Sequence, residues 1–479
     1  MPKQCAPVAL TYGNGRTGRK TGDYRIAQGE LERMGIRFSS HAAFTPDFLY
    51  DEILSKSGAA WAKSEGNAGK LLAKFKFPKI ITNSIHDSLD KLGKGGSRAV
   101  AVRFDPDWAG GSAGTGIGKT GVAAIMPGAP LKSLVPLVEE QFRLVLASAA
   151  SKNVAAFKAR KGTDGNAGIQ IMPVHGAQIT GENGHPCIWP VLSVSYLGNV
   201  LGKGQISAGH GFDGSNFTMA DDCRMLSNGF YDMGSAISQD WVYFSSPSKM
   251  VDLNDGKIIG SHARAGDEQV GQGLSKLNAI FARQTRPAYY ELANASLGCD
   301  DWVATQYSPF GVEQVSRPKV RQKYKIILET DYVVGTQSVK TNGIYIIKYG
   351  DYDPAALRQH NQNNAGYLLC MDFASPRQFF TFVPLEQYSN AGAILFLWED
   401  STPLFTHLNG LTRELGIPVL SKGMSLEDFK KAVRMASGIY YDTHDSSGLN
   451  APFDDENIGK APLTVYVNEF AKEGMIAGA

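Results

Sequence analysis

A side chain that carries a phosphoryl group between two partners needs a nucleophilic atom and a setting that favours anions. His407 meets the sequence side of that description. It lies within residues 393–420, AILFLWEDSTPLFTHLNGLTRELGIPVL. Residues 394–398 are an apolar run that reads as a buried strand, and a polar loop follows. The spacing then predicts a helix over 408–415 and a second strand opening at Ile417. Gly416 supplies the positive φ with which helices often end, and Pro418 cannot extend the helix. His407 thus falls at or just before a helix N-terminus, where backbone N–H groups and the helix dipole favour an anion. The plainer alternative is a histidine that only caps the helix.

Two glycine-rich stretches could meet phosphates. Residues 11–37, TYGNGRTGRKTGDYRIAQGELERMGIR, read as a basic loop followed by a helix over 23–34 stopped by Gly35. Amides freed by glycine, with Arg16, Arg19 and Lys20 close by, can surround phosphate oxygens. A solvated basic loop is the alternative. Residues 98–104, RAVAVRF, alternate as a strand does, with Arg103 near the end. The next stretch, DWAGGSAGTGIGKTG, formally fits a Walker A pattern from Ala113 to Thr120. A P-loop needs a sustained helix directly after it. Residues 121–126 are short and Pro127-Gly128 interrupts them, so a flexible lid carrying Lys119 fits better.

The elements that must position these residues are many. At 479 residues the chain exceeds what one core usually supports, so two or three domains are expected. With 43% hydrophobic and 20% charged residues it has the composition of a globular protein. A net charge of +2 argues against broad electrostatic binding of nucleic acid or anionic membrane and leaves room only for a local basic groove. No apolar run approaches the roughly 18 residues of a membrane span, and the N-terminus lacks a secretory apolar region. Five cysteines without a CxxC pair suggest neither a disulfide framework nor a zinc site. The expectation is a cytoplasmic protein with reduced thiols.

Helical spacing runs over 130–160, and residues 167–174, AGIQIMPV, read as a strand. Further strands are expected over 191–196, 205–208, 287–292, 301–306, 343–348, 367–371 and 439–442, with helices over 267–285 and 425–437. Residues 311–340 look like a linker holding a strand or two. The fold class is α/β.

The segment THLNGLTRELGIPVLSKG resembles the phosphohistidine segment of the phosphoenolpyruvate-utilising enzymes, in which a T-S-H-A loop precedes a helix ending R-E-L-G-I-P. That resemblance implies His407 as phosphocarrier and Thr406 as its hydroxyl neighbour. It extends in order along the chain. Gly18-Arg19-Lys20 stands for the family's G-G-K, and Arg103 for the arginine of V-R-S-S-A. Gln170 and Met172 take the places of V-x-V-Q-x-M-V beside the adenine hinge, and Asp213 replaces a glutamate. Glu291 and Gln306 stand where a glutamate and a glutamine hold Mg²⁺ between triphosphate oxygens. The implied architecture is an ATP-grasp nucleotide domain (1–310), a linker (311–340) and a swivelling β/α phosphohistidine domain (341–479). The implied cofactors are ATP and Mg²⁺. The implied reaction moves ATP's β-phosphate to His407 and on to an unidentified small-molecule or protein acceptor, releasing AMP and phosphate. Neither nucleic acid nor membrane is expected as a partner, and oligomeric state is left open.

The departures define a second reading. Phe104-Asp105-Pro106 replaces the family's serines, Tyr289 and Tyr290 replace aspartate and isoleucine, and Ser308 stands where an arginine belongs. Asp400-Ser-Thr-Pro-Leu404 replaces the family's glycines before the histidine, and Leu408-Asn409 the small residues after it. A catalytically degenerate relative, used for nucleotide binding or assembly, is therefore the alternative. About 60 residues follow Pro418, too few for a barrel of roughly 250 residues, so pyruvate is not the expected substrate.

Overall fold

The computed structural model describes residues 7–33, 36–49, 75–93, 99–108, 118, 120–125, 129–175, 177–180, 186–189, 192–198, 204–209, 221–225, 231–235, 288–294, 302–309, 315–374, 376, 379–380, 383–398, 410–437, 459–469 and 471–478. The fold is α/β. The chain divides into two compact units: Met1–Lys158 with Gly162–Phe310, and Ala159–Lys161 with Gly311–Ala479.

The first unit opens with β1 (Ala9–Tyr12), α1 (Arg19–Arg33), β2 (Arg37–Phe38) and β3 (His41–Phe44). Next come α2 (Lys79–Leu92), β4 (Ala99–Pro106), β5 (Thr120–Ala124), α3 (Leu134–Ala149), α4 (Lys152–Lys161, its last three residues counted with the second unit) and β6 (Ala167–Pro173). Five of these strands form a sheet in the order β1-β3-β6-β4-β5, antiparallel except for the β1–β3 pair. Residues opposite one another across a ladder share a face. Arg103 opposes Gln170, Asp105 opposes Gly168 and Ala101 opposes Met172, so one face of this sheet carries charge and amide groups. The other face carries Phe44, Val102, Phe104, Ile169 and Ile171, all buried. There Phe142 of α3 meets Phe44 edge-on at 5.0 Å. The apolar face builds the core and the polar face builds the site.

β5 agrees with the reading against a P-loop. The residues directly after Lys119 form a strand antiparallel to β4, so no helix follows and the Walker pattern is formal only.

The remaining strands of the unit are β7 (Ala177–Thr180), β8 (Pro186–Trp189), β9 (Leu192–Gly198), β10 (Gly204–Gly209), β11 (Asp221–Met225), β12 (Tyr231–Ser235), β13 (Ala288–Asn294) and β14 (Trp302–Pro309). β7 and β8 pair alone, and the others form a second sheet, β12-β11-β10-β9-β13-β14-β2. β2 belongs to this sheet, yet β3, which follows it closely in sequence, belongs to the first. Ser39 sits at the crossing: its amide meets Ala304 O at 3.2 Å and the Tyr24 hydroxyl at 2.7 Å. Tyr24, on α1, also donates to Ala304 O at 2.7 Å.

The second unit contains β15 (Ile326–Thr330), β16 (Tyr332–Val334), β17 (Thr336–Thr341), β18 (Ile344–Ile347), α5 (Pro354–Asn363), β19 (Leu368–Met371) and β20 (Ala393–Phe396). It ends with α6 (Gly410–Leu415), β21 (Val419–Ser421), α7 (Leu426–Ser437), β22 (Leu463–Asn468) and β23 (Glu473–Gly478). β18, β19, β20 and β21 are parallel, with β16 antiparallel at the β21 edge. An antiparallel sheet, β15-β23-β22-β17, completes the unit. Leu368, Leu395 and Leu420 from one sheet join Val465 and Ile476 from the other, with Phe429 and Val433 of α7, in one core. The stretch expected to be a linker thus supplies β15, β16 and most of β17, each paired within a sheet. α6 ends as its sequence demands. Gly416 has φ +64°, and the Ile417 amide reaches back to Thr412 O at 2.8 Å, the six-to-one bond of a Schellman stop. The helix expected over 267–285 and the strand over 439–442 lie outside the described residues.

Candidate functional site

Six of the residues singled out in the sequence are described: Lys20, Arg103, Gln170, Met172, Glu291 and Gln306. All belong to the first unit, and they converge. Arg103 leaves the polar face of the first sheet and ends among groups of the second. Its Nη2 donates to Glu291 Oε2 at 3.1 Å and to Gln306 Oε1. Its Nη1 donates to Thr305 O at 2.6 Å and meets Met172 Sδ at 3.5 Å. Arg103 is 8% exposed and Gln306 2%, so these bonds form away from bulk water, where charge-assisted geometry counts most.

The pairing of β13 with β14 explains how one guanidinium reaches three groups. Glu291 stands opposite Gln306, and the register then slips so that Leu292 opposes Ala304. Thr305 is the extra residue of this bulge. A bulged residue is released from the ladder, and the carbonyl of Thr305 is the one that Arg103 takes. The Thr305 hydroxyl closes the bulge by donating to Glu291 O at 3.2 Å.

Lys20 enters from α1, which starts at Arg19 and not near Asp23 as the spacing predicted. The cause is Asp105. Its carboxylate accepts the Thr21 amide at 3.2 Å and the Thr21 hydroxyl at 2.5 Å, and the Lys20 amide bonds to it as well. A carboxylate from a neighbouring strand therefore caps the helix, satisfying amides that otherwise lack partners. Gly18 lets it approach: a Cβ there would strike the Asp105 carbonyl and carboxylate. Gln170 Nε2 donates to the Thr21 hydroxyl at 3.0 Å, extending the chain Gln170–Thr21–Asp105 across two strands and a helix.

The electrostatics follow from this packing. Burial pushes the Lys20 ammonium down to about 8, and the neighbouring Arg103 pushes it the same way, while Glu291 and Asp105 partly oppose them. Burial raises the Asp105 carboxyl, against the bonds from Thr21 and Lys20. Two cations and two carboxylates are thus held close together, each charge with an opposite one nearby.

Glu291 and Gln306 place a carboxylate and an amide oxygen side by side, the hard-oxygen chemistry that suits Mg²⁺. Among the described residues no group of three or more His, Cys, Asp or Glu could hold a metal alone. Phosphate and water oxygens would complete the shell, as is usual for nucleotide-bound Mg²⁺. The pair fits that role.

Asp105, noted in the sequence only as a departure from the family, and Thr21 and Thr305 were not read as site residues. Asp105 had a signal: it lies two residues beyond Arg103 in an alternating strand, so both must share a face. The bulge at Thr305 depends on pairing and left no such signal. His407, Thr406, Lys119 and Asp213 lie outside the described residues.

No helix among the described residues is long and apolar enough to cross a membrane. No family model matches the chain, and no curated protein matches it. Among solved structures, that of the D-cycloserine synthetase DcsG is similar at 10% identity and a TM-score of 0.24, covering 60% of this chain and 61% of that one. The chain thus spans less than two thirds of that protein's length, and at this score the likeness carries no argument about activity.

Proposed function

We propose that the protein is an ATP-dependent phosphotransferase of the dikinase kind, related to the phosphoenolpyruvate-utilising enzymes. In this reading the first unit holds ATP and Mg²⁺, and His407 accepts the β-phosphate for delivery to an acceptor, with AMP and phosphate released. The observation that carries it is the meeting of Lys20, Arg103, Glu291 and Gln306. These residues are up to 286 positions apart, and their types suit a metal–triphosphate: two cations, a carboxylate and an amide oxygen. Lys20 and Arg103 would neutralise charge on the transferring phosphates. Glu291 and Gln306 would hold Mg²⁺, which when bound aligns the phosphate oxygens and screens their charge. Gln170 and Asp105 would keep α1, and so Lys20, in position. A covalent phosphohistidine divides the chemistry into two transfers, letting the acceptor be met elsewhere.

One observation favours the non-catalytic alternative. The amides of Lys20 and Thr21, which a phosphate could use at a helix N-terminus, are already taken by Asp105. Of these two residues, the Lys20 side chain is what remains for a phosphate.

The deciding experiment uses ATP labelled separately at the β and γ positions, with Mg²⁺, on wild type and His407→Ala. Acid-labile, alkali-stable β-label on wild type alone, with AMP formed, is the expected result. A folded protein that takes no label and forms no AMP would move the assignment to nucleotide binding or assembly.

A further inference from the structure

Arg103 raises a question that the phosphotransferase reading leaves open. Its two terminal nitrogens are both committed inside the protein: one to Glu291 and Gln306, the other to Thr305 O and Met172 Sδ. The oxygens held by Nη2 are the same two, Glu291 Oε2 and Gln306 Oε1, assigned above to the divalent cation. A metal ion contacts its oxygen ligands at roughly 2.0–2.1 Å, so a guanidinium nitrogen bonded to both oxygens occupies the metal's own place. A metal ion that takes both of those oxygens must displace the guanidinium.

The surroundings support an exchange. Among the described residues the buried Gln306 Nε2 atom has no hydrogen-bond partner, a costly condition that a nearby acceptor oxygen would relieve. Arg103 has one strong reason to leave, a polyphosphate, which offers a guanidinium more acceptor oxygens than Glu291 and Gln306 together. Lys20 stands close enough to Arg103 for the two charges to repel, so a second anion beside them would be welcome to both.

We propose that Arg103 is a resident cation that blocks the Glu291–Gln306 metal site until a polyphosphate draws it away. Metal binding is then conditional on nucleotide, and a divalent ion alone finds the site filled. The inference rests on the reading that Glu291 and Gln306 hold the metal, and it adds the order in which the components bind. Free metal without nucleotide would leave the carboxylate engaged and the site inert, which protects against loading the wrong ion first.

The test is Mn²⁺ binding to the full chain, followed by electron paramagnetic resonance of the free ion, with no nucleotide present. Wild type is expected to show no site attributable to Glu291. Arg103→Met is expected to bind Mn²⁺ more tightly than wild type by on the order of tenfold or more, within the usual range of a coupling between sites. Adding Glu291→Gln to Arg103→Met should abolish the gain. Should Arg103→Met fail to fold, by circular dichroism, Arg103→Lys serves, because a single ammonium cannot reproduce the guanidinium fork. Wild-type binding of Mn²⁺ that Glu291→Gln removes would overturn the gate while leaving the metal-site assignment intact. Absence of a Glu291-dependent site in every protein, with or without a non-hydrolysable ATP analogue, would overturn both.

Discussion

The carbonyl oxygen of Thr305 accepts a hydrogen bond from Arg103 Nη1 at 2.6 Å because a bulge in β14 frees it from the ladder. A register slip in the second sheet therefore fixes the guanidinium of a side chain rooted in the first. Arg103 is a tie between sheets as well as a candidate phosphate ligand.

That tie predicts a stability signature. Glu291→Ala leaves a buried guanidinium short of its carboxylate, at a cost of about 3 kcal/mol. Arg103→Met strands Glu291 in turn. The double variant Arg103→Met/Glu291→Leu should cost less than the two single changes added together, because neither charge is then left unpaired. Urea unfolding of the four proteins measures this, and strict additivity would argue that the pair does not interact.

Two glycines near or in α1 should respond in opposite directions. Gly18→Ala forces a methyl group against Asp105 and should loosen the cap of α1, lowering the unfolding temperature. Gly29 lies in the helix, and nothing stands within 4 Å of where an alanine methyl would sit. Gly29→Ala should therefore stabilise by about 0.5–1 kcal/mol through helix propensity. Thermal unfolding of each variant checks both signs.

His41 predicts how the first unit responds to acid. It is fully buried, its Nε2 accepts from Arg25 Nε at 2.9 Å, and its pKa is lowered to about 4, chiefly by burial and then by the Arg25 charge. The unfolded chain takes up a proton below about 6.5 while the folded one does not. Stability is thus fully present above that value, falls as pH drops toward 4, and levels off below, by up to about 3 kcal/mol. Unfolding His41→Asn across this range should show a flatter profile; an unchanged slope would assign the acid loss to other groups.

Lys20→Met separates nucleotide recognition from folding. The ammonium is the charged group that α1 brings to Arg103 and Glu291, and loss of a charge-assisted bond should weaken ATP binding roughly 10- to 100-fold. Calorimetric titration with a non-hydrolysable analogue reads the affinity. Equal affinity in a folded variant would remove Lys20 from the site.

Much of this arrangement was legible in the residues. RAVAVRF and AGIQIMPV read as strands, as they are, and period two puts Gln170 and Met172 on one face; that Arg103 shares it comes from the β4–β6 register, which no local pattern shows. Gly416 announced its own conformation. The start of α1 was misplaced because its cap is Asp105, 84 residues away from Thr21, and local capping rules see only neighbours in sequence. The strands within 311–340 were underread for a related reason. Their partners, β21, β22 and β23, follow some 90 to 150 residues later, and a lysine- and arginine-rich stretch hides the short apolar runs between.

The separation of Arg103 from its counter-charge also bears on how the chain is made. Glu291 follows Arg103 by 188 residues, a delay of roughly 10–40 s at ordinary rates of synthesis. The first sheet is complete in sequence by Pro173, long before β13 emerges. During that interval Arg103 lacks its Glu291 partner, and Asp105 is the carboxylate that shares its face. The second sheet therefore does more than add a layer when it arrives: it brings the carboxylate and the carbonyl that hold a guanidinium made long before them.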